Sequence, residues 1–507
     1  MIHTSLLTLV FYCMKTEPDI SRLAQKYAPG ITLSELQVSA IAAMTSHVSY
    51  INALQAGSGK TLTALLSALY CIEKYNAVCV IFSPKSARQA WKKEILRLNQ
   101  EYAIYSADEK VPYHSQPFVI VEQSILCKYA YKVSDIKKSG RHIIAVIDEA
   151  HVLQNSKSII SQLFAKLKPI FTVRWLLTAT PLLNDFHGLY NVLRYVRDDL
   201  PPWAVFRETY CVTKERIVRV PDKRNPCHKR DQKIYEILDY KNTSDLSRVI
   251  NECSIQGGRV YDIEFHYLKD QLDDELKPHY DKASAGLTNL SENTDEKVFA
   301  ARLHDIQRTV DGSFGEIGYT KVSNKESLLM NTIQGILHCQ DDASIIIYVG
   351  YDETIERLKA LLSRYRRRLG ISLILSLTGK HSEPERVSRE KAMCPKSVLI
   401  ISDAGCQSRN LQESNHIIFY TIPWSIGTCI QSIGRICRTD TRHPKQHVYI
   451  LEIENTIDTY RRLLFEDNVT TINSIFSVNP VLPTEVEKLN RRNLSKYRRI
   501  FLWSKRK

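Results

Sequence analysis

The sequence predicts an α/β protein: two parallel-sheet lobes with a helical insertion between them and a basic C-terminal tail. Three observations carry that prediction. A short apolar run, Tyr50 to Ala53, leads into the loop Leu54-Gln55-Ala56-Gly57-Ser58-Gly59-Lys60-Thr61, which opens a helical pattern from Leu62 to Tyr70. A second apolar run, His142 to Val146, ends in Ile147-Asp148-Glu149-Ala150-His151. Beyond residue 341 a further alternation of strand-like and helical segments begins, without a glycine loop of its own. Apolar runs alternating with helical patterns make a parallel sheet covered on both faces.

At 507 residues the chain is too long for one core and suits two or three domains. The pattern places an N-terminal extension at 1–32, the first lobe at 33–200, the helical insertion at 201–340, the second lobe at 341–475 and the tail at 476–507. An apolar fraction of 44% is that of an ordinary soluble globular protein, so disorder is not the default. The net charge of +14 favours a polyanionic partner, although it also serves solubility. From Lys488 to Lys507 the tail carries nine Lys or Arg and no acid, with Tyr497, Phe501 and Trp503 interleaved, which suits phosphate contact and stacking or a solvated basic helix end. Twelve cysteines fall without a C-x-x-C pair or a Cys/His cluster at metal spacing. Free thiols in a reducing cytosolic or nuclear compartment follow, with neither a zinc site nor a disulfide framework indicated. Leu6 to Tyr12 is too short to span a bilayer, so no membrane partner is expected, and translation from Met14 is an alternative start.

Leu33-Ser34-Glu35-Leu36-Gln37 starts a helix that runs to about Met44. The Gln37 amide offers both a donor and an acceptor, as an adenine edge requires, and is equally at home as a surface polar group. In the loop, Gly57 and Gly59 let backbone N–H groups close on a polyphosphate at the positive end of the following helix. Lys60 then reaches the β- and γ-phosphates and the Thr61 hydroxyl holds Mg²⁺. Leu54 stands where the usual first glycine of such a loop is expected. Val78 to Phe82 and Phe118 to Val121 are buried strands whose ends, Ser83-Pro84-Lys85 and Glu122-Gln123-Ser124, face the same edge. At that edge Asp148 suits the metal that bridges phosphates, and Glu149 suits orientation and deprotonation of the attacking water. Arg174 to Leu177 ends in Thr178-Ala179-Thr180-Pro181, small hydroxyls able to relay the phosphate state or simply to turn the chain.

In the second lobe, Ser344 to Val349, Leu373 to Leu377, Ser397 to Ser402, His416 to Thr421 and His447 to Ile453 read as strands, and Asp352 to Arg368 as a helix. Arg435 and Arg438, in Gln431-Ser432-Ile433-Gly434-Arg435-Ile436-Cys437-Arg438, share one helical face. They suit arginine fingers, or a pair of surface salt bridges.

In order and spacing these motifs resemble superfamily-two helicases, specifically the Swi/Snf-like branch of double-stranded DNA translocases, over about Leu33 to Asp458. The strongest parts are Asp148-Glu149-Ala150-His151 with Leu153-Gln154-Asn155, and Arg174-Trp175-Leu176-Leu177-Thr178-Ala179-Thr180-Pro181 with Asn184. Pro84, Trp91 and Glu94 also match, as does Asn455-Thr456-Ile457-Asp458. The resemblance implies two RecA-like lobes, with ATP and Mg²⁺ as cofactors and DNA crossing both lobes. By position Gln37 is similar to the adenine-sensing glutamine, and Ala56 to Thr61 to the phosphate loop. Asp148 and Glu149 match the metal and water carboxylates, His151 and Gln431 the residues that couple nucleotide state to closure, and Arg435 and Arg438 the fingers. Cys406 and Ser408 stand where glycines are usual, and Gln154 where a lysine is. A compact chain of this kind looks like a phage, viral or bacterial enzyme of replication, repair or recombination, acting in the cytoplasm or, in a eukaryote, the nucleus. An RNA helicase of the same superfamily and a non-motor, ATP-switched nucleic-acid or polymerase adaptor remain alternatives at this stage.

Overall fold

The computed structural model describes residues 18–466 apart from 56, 179–185, 222–228, 259–261, 289–295, 313–320, 403–410, 412, 425, 438–442, 444 and 464. Ala56, Arg438, most of the loop around Cys406, the apolar run at Leu6 and the basic tail therefore lie outside the described residues. The described residues divide into two compact units, one over 18–206 with 244–258 and the other over 207–243 with 262–466.

The strands in chain order are β1 (Ser49–Leu54), β2 (Ala77–Ser83), β3 (Tyr102–Tyr105), β4 (Lys110–Val111), β5 (Phe118–Glu122), β6 (His142–Ile147), β7 (Val173–Leu177), β8 (Cys211–Pro221), β9 (Lys229–Tyr240), β10 (Ser254–Gly257), β11 (Asp262–Asp270), β12 (Ile345–Tyr348), β13 (Leu373–Leu377), β14 (Ser397–Ile401), β15 (His416–Phe419) and β16 (Lys445–Ile453). The first unit is built on a sheet of order β10-β1-β7-β6-β2-β5-β3-β4, parallel except for the β3–β4 edge pair. β2, β5 and most of β6 are buried along their length because helices cover both faces, which is why they read as unbroken apolar runs. Helix Lys60–Tyr75 buries Leu62, Leu65, Leu66 and Leu69 in one core with Ile81, Ile120, Val146 and Trp175.

The second unit carries a wholly parallel sheet of order β11-β16-β15-β12-β14-β13. Its core gathers Ile345, Ile347, Val398, Ile400 and Ile418 against Leu358 and Leu362 of helix Asp352–Leu369. The five strands expected beyond 341 are all present.

The insertion differs from its reading as helical. Helices Thr243–Asn251, Lys277–Thr288 and Glu296–Val310 are there, but so are four strands. β8 and β9 form an antiparallel hairpin with an irregularity between Val212 and Thr213. β10 joins the first sheet beside β1, and β11 joins the second beside β16, so each lobe borrows an edge strand from this segment. The physical reason for the difference is that edge strands are only partly buried. β10 has one large apolar residue, Ile255, and β11 mixes Asp262, Glu264, His266 and Lys269 among its apolar positions, so neither presents an apolar run.

Candidate active site

β1 and β6 are separated in the sheet by β7 alone, so the loop after β1 and the carboxylates after β6 emerge at one edge about 10 Å apart, two strand spacings. Asn52, fully buried in β1, donates from Nδ2 to Thr63 Oγ1 at 3.0 Å and accepts from the Leu54 N–H at 3.3 Å, which ties the strand end to the helix that follows the loop. Gly57 and Gly59 have φ of 81° and 80°, a left-handed conformation that costs a side chain strain. At Gly59 the space is also taken, since a Cβ would lie 2.3 Å from Gln37 Nε2. Lys60 Nζ donates to the carbonyls of Leu54 at 2.7 Å and Gln55 at 3.0 Å, across the mouth of the loop.

Gln37 reaches this loop from the start of helix Glu35–Ser46. Its Oε1 accepts from the Ser34 N–H at 2.9 Å in a capping box, and its Nε2 donates to the Ser58 carbonyl at 3.2 Å. The glutamine is thus fixed at one end by the helix cap and laid at the other against the loop.

Asp148 is gripped on both carboxylate oxygens. Oδ2 accepts from the buried indole of Trp91 at 2.8 Å, and Oδ1 accepts from the Glu149 N–H at 2.9 Å. Burial, and then the neighbouring Glu149 charge, push its carboxyl up to about 6. Glu149 sits at φ 47°, ψ 56°, a left-handed conformation unusual for a non-glycine residue and characteristic of strained functional positions. Its Oε2 lies 3.4 Å from His151 Nδ1 on the short helix Ala150–Leu153. Gln123 stitches the strand ends together, donating from Nε2 to the carbonyls of Phe82 at 3.1 Å and Asp148 at 2.6 Å. Beside it the buried Arg88 bonds Asp108 with both terminal nitrogens and Glu122 at 2.9 Å. That guanidinium holds the Asp108 carboxyl well below its usual range.

The loop, Gln37, Asp148, Glu149 and His151 therefore stand together in the first unit. In the second unit, Gln431 and Arg435 lie four residues apart on helix Ile426–Ile436, with Gln431 half-buried and Arg435 only 6% exposed. Asp458, matched by motif alone, is buried and accepts from Lys325 Nζ at 2.7 Å and Gln307 Nε2 at 2.8 Å. Sequence reasoning did not single out Asn52 or Lys325 and gave Trp91 and Gln123 no contact. Trp91, Gln123 and Lys325 each bond a residue far away in the chain, Asn52 bonds across the loop to Thr63, and only for Trp91 did the resemblance supply a signal.

The donor set fits a magnesium nucleotide. The loop offers left-handed glycines and an ammonium for phosphate, and the Thr61 hydroxyl with the Asp148 carboxylate supplies the hard oxygens that Mg²⁺ prefers.

Comparison with known proteins gives a consistent result. The SNF2-related domain family matches residues 37–251 and the helicase conserved C-terminal domain family matches residues 325–440, together about two thirds of the chain. A Bacillus subtilis (strain 168) protein named as the uncharacterized ATP-dependent helicase YqhH is 25% identical over 427 residues, covering 81% of this chain and 73% of its own. A protein of Orgyia pseudotsugata multicapsid polyhedrosis virus named as a probable global transactivator is 23% identical over 68% of each chain. The solved Sulfolobus solfataricus SWI2/SNF2 ATPase core in complex with dsDNA aligns over 92% of this chain and 97% of that one, at 17% identity and a TM-score of 0.38, too loose a superposition to carry an argument. With an SNF2-related domain that brings the phosphate loop and paired carboxylates to one sheet edge, followed by a helicase C-terminal domain, the chain belongs to the SNF2-related family of ATP-dependent helicases.

Proposed function

We propose that the chain is a translocase on duplex or branched DNA, driven by Mg²⁺-ATP bound at the edge of the first sheet, and that it serves replication, repair or recombination. The observation that carries the reading is the convergence of Lys60, Asp148 and Glu149 at that edge, with the metal carboxylate already held by Trp91. When bound, the metal neutralises charge developing on the transferred phosphoryl group. Thr61 and Asp148 would hold it, Lys60 would meet the phosphates, Glu149 would take the proton of the attacking water, and Gln37, by its likeness to the family's adenine-sensing glutamine, would meet the base. Family resemblance gives Arg435 and Arg438 the stabilisation of that charge, and gives His151 and Gln431 the coupling of nucleotide state to movement.

The net charge of +14 supports a polyanionic track. Grip on the phosphodiester backbone predicts little base specificity and a steep loss of affinity with salt. ATP hydrolysis measured against duplex, single-stranded, forked and four-way DNA and against RNA tests the reading. Stimulation by duplex or branched DNA is expected, and stimulation by RNA alone would refute it in favour of an RNA helicase. The name of the viral relative, probable global transactivator, favours a transcription-linked role, and with it a second reading as a factor that switches with ATP but does not travel. A triplex-displacement assay separates the two, because only a moving enzyme clears the third strand.

A further inference from the structure

We propose that the second unit holds a divalent transition-metal site of the zinc class, formed by Glu264 and His266 of β11 and His447 of β16. These two strands pair in parallel with Glu264 opposite His447 and His266 opposite Tyr449, so all four side chains rise from one face of the sheet. Three ligand atoms converge there. His266 Nε2 lies 3.2 Å from His447 Nδ1, His447 Nδ1 lies 3.5 Å from Glu264 Oε2, and His266 Nε2 lies 4.0 Å from that same oxygen. A tetrahedral ion with bonds of about 2.0–2.1 Å spaces its ligands roughly 3.3–3.4 Å apart, so the three atoms outline one face of such a tetrahedron. Two imidazoles and a carboxylate are a ligand set that zinc accepts, with the fourth position left to water or to an incoming group.

The surroundings hold the rings in place. His416 of β15 stacks on His447 with centroids 4.7 Å apart at 10°, and Tyr449 stacks on His266 at 4.4 Å and 14°. His416 is anchored in turn through Nε2 to Gln340 Oε1 at 2.9 Å. His266 Nε2 and His447 Nδ1 stand at hydrogen-bond distance from each other, so an ion bound there takes the place of the proton between them. One group competes: Lys445 Nζ sits 2.7 Å from Glu264 Oε2 and must yield that oxygen to the ion.

The position gives the site a purpose. β11 is the edge strand of its sheet and the first element of the second unit after the chain leaves the first at residue 258. An ion shared by β11 and β16 clasps that strand to the sheet just where the chain enters the unit. None of the three ligands falls within the residues matched by either family, 37–251 or 325–440. The inference is independent of which nucleic acid the enzyme travels on.

The test is titration of the full-length, chelator-treated protein with Zn²⁺, followed by calorimetry, and with Co²⁺, followed by visible absorption. One ion per chain is expected, with nitrogen- and oxygen-ligated Co²⁺ bands and a rise in thermal midpoint. Affinity should fall at least tenfold in Glu264→Gln, whose side chain is exposed and whose loss leaves the fold alone, and likewise in His266→Ala. Lys445→Ala should bind more tightly than wild type. Unchanged affinity in both ligand variants would overturn the proposal. So would a thiolate-to-cobalt charge-transfer band, which would put the ion on exposed cysteines such as Cys127, Cys339 or Cys394. ATP turnover, measured alongside, reports that each variant is folded.

Discussion

The two units treat buried acid in opposite ways. In the second, Asp311 and Asp458 are fully buried around Lys325, itself 1% exposed, whose ammonium donates to Asp311 at 2.8 Å and Asp458 at 2.7 Å. Gln307 donates to both carboxylates, and the Thr421 hydroxyl donates to Asp311 at 2.7 Å. Burial works against the lysine's charge, but the two carboxylates more than offset it and hold Lys325 above its ordinary value. In the first unit, Asp148 has an indole and a backbone N–H, and among the described residues no Lys or Arg forms an ion pair with it. The contrast separates a closed cluster, whose buried charges are matched by direct ion pairs, from an open one in which burial and Glu149 outweigh the nearby charge of Lys60.

Lys60→Ala should break the open cluster's function with the largest effect, lowering ATP turnover by ~10²–10³-fold or more while leaving thermal unfolding close to wild type. Steady-state kinetics and calorimetry on the same preparation check this, and near-normal turnover would remove Lys60 from the site. Lys325→Met should do the reverse. It strands two buried carboxylates at a cost of about 3–5 kcal/mol, read from denaturant unfolding. A loss below about 1 kcal/mol would mean that the closed cluster is not what holds that end of the sheet.

Asp148→Asn sharpens the comparison through pH. The folded carboxyl titrates near 6 against an ordinary 3.8, so the protonated form is the one that folding favours. Its stabilising contribution is complete below about pH 3.8 and is lost as pH rises through 6. At pH 7.5, without nucleotide or metal, the variant should therefore be more stable than wild type by about 1–2 kcal/mol, a value discounted for the partial exposure of Asp148. That gain should vanish near pH 4, and turnover should be lost throughout. The smallest effect is expected from Gly59→Ala. A left-handed alanine costs about 1–2 kcal/mol and displaces Gln37, so the KM for ATP should rise, and Gln37→Ala should restore part of the lost fold stability without restoring the KM.

What the sequence revealed followed how local each signal is. The phosphate loop and the Asp148-Glu149 pair are contiguous, and their strands are buried on both faces, so composition and spacing alone located them. Trp91 is 57 residues from Asp148, and Lys325 is 133 from Asp458, so the bonds between them exist only once the sheets have formed. β10 and β11 escaped because partly buried edge strands do not need an apolar run. His266 and His447 are 181 residues apart, and the absence of a short Cys/His spacing hid a pairing that the β11–β16 register creates.

The central claim is that ATP is hydrolysed at the edge of the first sheet, with Glu149 taking the water's proton, and that duplex DNA drives the cycle. The most direct test is the turnover of Glu149→Gln beside wild type, with and without duplex DNA, together with nucleotide binding. The account predicts that the variant binds ATP about as tightly as wild type and gains no turnover from DNA. DNA-stimulated hydrolysis at the wild-type rate in that variant would contradict it.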